Sequence, residues 1–180
     1  MTFQFNLENQ KKVSEILAKY PAGREKSAVM PLLDLAQRQN DNWISRDAIE
    51  CISKLINLPE IRVYEVATFY TMYNLKPVGK YLLQICRTTP CMLRGADQLI
   101  KFCEEKFGIH AEQTTQDQFF TMKEVECLGA CANAPVVQIN DDFFEDLTVE
   151  SFERVLNDLK AGKAVKIGSQ IGRQCSAPQS

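Results

Sequence analysis

The sequence predicts an α+β chain: a helical N-terminal bundle followed by a small sheet with helices packed on it. Three observations carry this. Apolar residues recur at helical spacing through roughly the first 75 positions. The stretch LKPVGKY (75–81) then breaks the pattern with Pro77 and Gly79. Beyond it, short apolar runs and amphipathic stretches follow one another in the order β-α-β-β-α.

The helical elements come first. ENQKKVSEILAKYP (8–21) places Val13, Ile16, Leu17 and Tyr20 on one face, and Pro21 stops it. SAVMPLLDLAQRQN (27–40) does the same with Val29, Leu32, Leu33 and Ala36, and Pro31 sits early enough for a first turn. SRDAIECISKLINL (45–58) has Ser45 as its N-cap, Asp47 in the first turn and Ile49, Ile52, Leu55 and Ile56 as its core face. PEIRVYEVATFYTMYN (59–74) is β-branched and aromatic enough for a strand. Its length, and Val63, Val66, Ala67 and Tyr70 at helical spacing, favour a helix.

In the second part KYLLQIC (80–86) fits a buried strand. GADQLIKFCEEKFGI (95–109) is an amphipathic helix with Leu99, Ile100, Cys103 and Phe107 inward and Gly108 as its C-terminal cap. FFTMKEVEC (119–127) alternates as a strand does. VVQIN and DDFFEDL form a hairpin around Asn140 and Asp141. TVESFERVLNDLKAG (148–162) closes with a helix capped by Thr148 and followed by Gly162. This is a thioredoxin-like order. The expected division is 1–76 helical, 77–162 sheet domain, and 163–180 an aperiodic Gly/Ser/Gln-rich tail that is disordered alone or orders only on a partner.

Composition excludes several classes. A net charge of −2 points neither to nucleic acid nor to an anionic membrane. No stretch approaches the roughly 18 apolar residues of a spanning helix. The N-terminus has no basic segment followed by an apolar one, and no early arginine. The expected setting is the cytosol, or an organelle after processing. There is no G-x-G-x-x-G, no P-loop, and no Cys-His or Ser-His-Asp constellation, so a complete active site is not expected in this chain.

The chemistry lies in the cysteines. Seven is an odd count, and in a reducing compartment paired cysteines more often mean metal or redox chemistry than disulfides. CRTTPC (86–91) and CLGAC (127–131) each follow a predicted strand. If those strands are neighbours, both loops emerge at one end of the sheet, Gly129 bending one and Pro90 stiffening the other. Three readings stay open. A [2Fe–2S] cluster needs four thiolates, two per iron. Structural zinc also accepts four cysteines, but zinc ribbons favour tighter knuckles. A thioredoxin dithiol wants C-x-x-C, which is absent. Cys51 and Cys103 read as buried small hydrophobes, Cys175 has no partner in sequence, and His110 reads as a surface residue.

The segments VYEVATFYTMYN (63–74), CRTTPCMLRGA (86–96), ECLGACANAPVVQIND (126–141) and FFEDLT (143–148) resemble the 24 kDa-type subunit family of NADH-quinone oxidoreductase, respiratory complex I, with a thioredoxin-like ferredoxin domain. The likeness covers nearly the whole chain, including KIGSQIGRQCSAP in the tail. The family's C-x₄-C and C-x₃-C signature is matched by Cys86, Cys91, Cys127 and Cys131. The resemblance implies that these four hold one [2Fe–2S] cluster of the N1a type. It implies a neighbouring flavoprotein subunit carrying FMN, the NADH site and a [4Fe–4S] cluster, against which the N-terminal helices and the tail pack. It also implies other peripheral-arm partners, a place on the cytoplasmic or matrix face, and membership of a proton-translocating NADH:quinone oxidoreductase. Similar modules occur in NAD-reducing hydrogenases and NAD-dependent formate dehydrogenases; a zinc-stabilised adaptor is the rival from another class. Two departures stand out: Arg87 where the family often has Thr, and Val136 where Met is usual. An unpaired Arg87 beside the cluster should raise its potential; an Arg87 paired with a carboxylate should not.

Overall fold

A computed structural model describes residues 2–175; Met1 and positions 176–180 of the predicted tail lie outside the described residues. The chain divides into two compact units, Met1–Val78 and Gly79–Ser180.

The first unit is helical. Helices α1 (Leu7–Ala18), α2 (Val29–Gln39), α3 (Arg46–Leu55) and α4 (Glu60–Phe69) surround a core of Leu32, Leu33, Ala36, Ile49, Ile52 and Val63. Ser45 caps α3 by accepting the Ala48 N–H, as expected of a serine before an apolar-periodic run. Two expected core residues are exposed. Leu55, 42% exposed, is the last residue of α3 and lies roughly 90° from the middle of the Ile49–Ile52–Ile56 stripe at about 100° per residue. Tyr70 follows the last helical residue with extended backbone, so helical spacing no longer governs where it points.

The second unit is built on a mixed five-stranded sheet of order β2-β1-β3-β4-β5. Its strands are β1 (Tyr81–Cys86), β2 (Phe120–Val125), β3 (Val137–Ile139), β4 (Asp142–Glu145) and β5 (Gly168–Ser169). Strands β1 and β2 are parallel, with Tyr81 opposite Phe120 and Cys86 opposite Val125. The crossover between them contains α5 (Thr89–Leu93) and α6 (Ala96–Phe107). Strand β3 runs antiparallel to β1, and the β3–β4 hairpin turns at Asn140, whose φ of 54° is the left-handed conformation that Asn tolerates. Helix α7 (Val149–Lys160) carries a capping box between Thr148 and Ser151. Its Phe152 meets Phe102 of α6 edge-on at 6.0 Å, and both helices feed a core shared with Leu83, Ile85, Phe120, Met122 and Phe144.

The β-α-β-β-α reading therefore holds with two additions, the short α5 in the first cysteine loop and β5. Strand β5 corrects the expected tail. Positions 168–175 order on this chain's own domain, because Gly168 and Ser169 extend the sheet beside Phe144 and Glu145. A low-complexity composition concealed a pairing that needs only two residues and a partner distant in sequence.

Candidate metal centre

The parallel β1–β2 pair places the ends of both strands on one side of the sheet, and both cysteine loops start there. Cys86 is the last residue of β1. Thr88 then stands at the N-cap of α5, with Pro90 in the helix's opening turn. Cys91 falls inside that turn, and Cys86 and Cys91 are both buried in the domain core at 1% exposure. The second loop leaves β2 and turns at Gly129, whose φ of 83° suits a residue without a Cβ. It ends in a 3-10 turn at Cys131–Asn133. Cys127 and Cys131 are exposed.

All four thiols are free. The Cys127 and Cys131 sulfurs lie 3.4 Å apart, far beyond a disulfide bond. The loops address each other's sulfurs. The Thr88 hydroxyl makes no cap bond; it lies 3.3 Å from Cys86 Sγ and also acts on Cys127. The Gly129 N–H donates to Cys127 Sγ at 3.4 Å, and the backbone at Leu128 and at Val136 lowers the pKa of Cys86 and of Cys91 against burial. Donors of this kind favour the thiolate form.

The balance differs within each pair. Burial pulls the Cys86 thiol up, but the Thr88 hydroxyl and amide and the Leu128 amide outweigh it, and its pKa is lowered. Cys91 is pushed up to about 12, first by burial and then by its bond to Cys86. Cys127 is lowered, chiefly by the Gly129 N–H, and Cys131 is raised, chiefly by Cys127. Each pair thus shares its protons unequally, as two thiols do when one sulfur anion suppresses its neighbour's ionisation.

The two sequence departures have plain positions. The Arg87 side chain pairs with Glu124 of β2 and is 59% exposed, so the carboxylate offsets its charge. Val136 is buried, and its carbonyl accepts the Cys86 N–H at 3.1 Å, so it packs behind the site. Of the other cysteines, Cys103 is fully buried in α6, Cys51 is half-buried, and Cys175 packs over Gly168, where a Cβ would collide with its sulfur. His110 is on the surface beside the Glu104 carboxylate at 2.8 Å. Sequence reasoning missed Thr88 and the amides of Leu128, Gly129 and Val136. Only the Thr carried a signal, as a hydroxyl between two cysteines.

A family model described as thioredoxin-like [2Fe–2S] ferredoxin matches residues 13–160. The E subunit of the NADH-quinone oxidoreductase of Rickettsia conorii is 54% identical over 158 residues, 88% of this chain and 95% of that one. The chain belongs to this family of thioredoxin-like [2Fe–2S] ferredoxins. A second relative, the mitochondrial NADH dehydrogenase [ubiquinone] flavoprotein 2 of Dictyostelium discoideum, is 50% identical over 97% of this chain and 70% of its own length. Among solved structures, an NAD+-reducing [NiFe]-hydrogenase in the air-oxidized state matches with a TM-score of 0.64 at 21% identity. That match covers 72% of this chain but only 23% of the hydrogenase chain, and the likeness is one of fold. The resemblance drawn from the motifs therefore stands, and a member of this family carries one [2Fe–2S] cluster. The donor set fits that group: four thiols from two loops, with amide and hydroxyl donors around their sulfurs. No helix among the described residues is long and apolar enough to cross a membrane.

Proposed function

We propose that this chain is the electron-transfer subunit of an NADH-quinone oxidoreductase, with Cys86 and Cys91 holding one iron of its [2Fe–2S] cluster and Cys127 and Cys131 the other. The carrying observation is that both cysteine loops start at one end of the parallel β1–β2 pair, with the Leu128 amide of one loop lowering the Cys86 thiol pKa of the other. Two cysteines from each of two loops supply the two thiolates per iron that a [2Fe–2S] cluster requires.

The cluster, when bound, takes up and returns one electron. The protein's own part is electrostatic. Binding iron requires all four thiols to lose their protons, and the inward amides and the Thr88 hydroxyl stabilise the sulfur charge that results. Those same donors favour the more negative, reduced state and so raise its potential. With two cysteines in the core and two at the surface, the centre is insulated on one side and open to a partner on the other.

The partner in this reading is the flavoprotein subunit that binds FMN and NADH, together with other subunits of the peripheral arm, on the cytoplasmic face in a bacterium or the matrix face in a mitochondrion. The N-terminal helical bundle is the docking region. Exposed Ile61, Tyr64, Phe69 and Met72 on and just after α4 support this, since large apolar side chains left in water suit a protein interface. The chain supplies no catalytic residue of its own. It acts within an oxidoreductase whose chemistry at NADH is done next door.

The test is anaerobic purification with iron and sulfide analysis and identification of co-purifying chains. The expected result is a reddish-brown protein with about two iron and two sulfide per chain, accompanied by a flavoprotein. A colourless zinc protein would remove the redox role, and hydrogenase or formate dehydrogenase subunits among the partners would move it to another machine.

A further inference from the structure

The C-terminal segment carries a buried polar cluster that electron transfer does not use. Asp146 follows β4 with a φ of 55° and is buried, next to the fully buried Glu145. Asn133, at the end of the 3-10 turn that begins with Cys131, is also buried. Arg173 reaches into this cluster from the tail. Its Nη2 donates to Asp146 Oδ1 at 2.6 Å, to Asn133 Oδ1 at 2.7 Å and to the Ala132 carbonyl at 2.7 Å, and its Nε lies 3.3 Å from Asp146 Oδ2.

The rest of the segment tightens the same knot. The Ser169 hydroxyl donates to Asp146 Oδ2 at 2.6 Å and accepts the Arg173 N–H at 3.1 Å. The Asn133 amide nitrogen donates to Glu145 Oε2 at 2.6 Å and to the Gln174 carbonyl at 2.7 Å. The Asn133 carbonyl accepts the Asp146 N–H at 2.7 Å. Both amide hydrogens and the side-chain oxygen of Asn133 are therefore engaged, which leaves it one orientation.

We infer that Arg173 is a positioning residue for the second cysteine pair: by bonding Ala132 and Asn133 to Asp146 it anchors the turn that starts at Cys131 and sets where that sulfur stands. The inference rests on the reading of Cys131 as a cluster ligand. The physical need is plain. Cys86 and Cys91 are themselves core side chains, whereas Cys127 and Cys131 are exposed, and only neighbours such as Ala130 reach the core. A guanidinium fork satisfies a buried carboxylate and two loop oxygens at once, and a lysine, with a compact charge and no fork, does not.

The test uses the full-length chain as purified, with Arg173→Ala, Arg173→Lys and the exposed Arg154→Ala as a control. Hydrogen exchange is followed over 127–134, together with chelator-driven iron release and the g-values and midpoint potential of the reduced centre. Arg173→Ala should speed exchange in 127–134 and iron release roughly tenfold or more, the scale of a lost charged hydrogen bond. Arg173→Lys should fall between it and the native chain, g-values should move in both, and protection in β1 and α6 should stay. Native exchange and g-values in Arg173→Ala would overturn the inference. So would a uniform loss of protection across the domain in both variants, because the tail would then be a general staple. Exchange reports the tail's hold whether or not iron is present, while a native chain lacking iron would sink the ligand reading alone.

Discussion

The two cysteine loops do one job by different means. The first is part of the fold: Cys86 ends a strand, Cys91 lies in a helical turn, and both are in the core. The second is an exposed excursion bent at Gly129 and tied down at its far end by polar groups. A site assembled this way holds two of its sulfurs by burying them, and the other two through buried neighbours such as Ala130 and a few charged hydrogen bonds. The difference teaches that equivalent ligands need not be equivalent in stability or in access.

The largest expected effect comes from the ligands. Either Cys91→Ala or Cys127→Ala should abolish the normal rhombic EPR signal, and a native signal with full iron content in Cys127→Ala would reject the assignment. The comparison sharpens in the cluster-free chains, whose denaturant midpoints should separate the two. Cys91→Ala opens a buried site and should cost about 1 kcal/mol or more, whereas the exposed Cys127→Ala should stay within about 0.5 kcal/mol of the parent.

Next in size is Gly129→Ala. No atom lies within 4 Å of the added methyl group, so the cost is backbone strain alone. It should be roughly 1 kcal/mol at a left-handed position. Thermal unfolding would show it, and an unchanged melting temperature would mean that the loop relaxes freely.

Thr88→Val keeps the volume and removes the hydroxyl between the loops. The midpoint potential should fall by a few tens of millivolts, the one-electron equivalent of about 1 kcal/mol. Redox titration followed by EPR measures this. Arg87→Thr, by contrast, should move the potential less than Thr88→Val, because Glu124 already offsets the charge. A larger shift from Arg87→Thr would show that this pair opens in solution.

A pH effect isolates Cys103, a buried cysteine outside both loops. Burial lifts the Cys103 thiol from 9.0 to about 12, so the folded chain prefers it neutral. Its contribution is therefore fully present below pH 9.0 and is lost as pH rises toward about 12. Tyr73 acts in the same direction, raised from 10.0 to about 12 by burial. Cys103→Ala should flatten the alkaline decline in stability measured by denaturant unfolding; a decline of native steepness would assign it to other groups.

Much of the fold could be read locally. The caps at Ser45 and Thr148, the Asn140 turn and the left-handed Gly108 are short-range chemistry, and the structure places each where its residues predict. Of the aromatic, β-branched run at 59–74, Glu60–Phe69 is helix, because its apolar spacing outlasts a strand, and the rest is not. Leu55 and Tyr70 show the limit: periodicity predicts a face, not where that face runs out of neighbours. Of the site, the cysteine spacing was legible, but not which pair would be buried.

By itself, the sequence settled much that depends on near neighbours: the caps at Ser45 and Thr148, the turn at Asn140, and that four sulfurs come as two close pairs. Tertiary structure alone decided that Glu145 and Asp146 are buried rather than solvated, that Arg173 returns to meet Asp146, and that Gly168 and Ser169 add a strand. The reason is that a charged residue has the same local sequence signature in water as in a satisfied buried network. Only the arrival of its partner, 27 positions away for Asp146 and Arg173, separates the two.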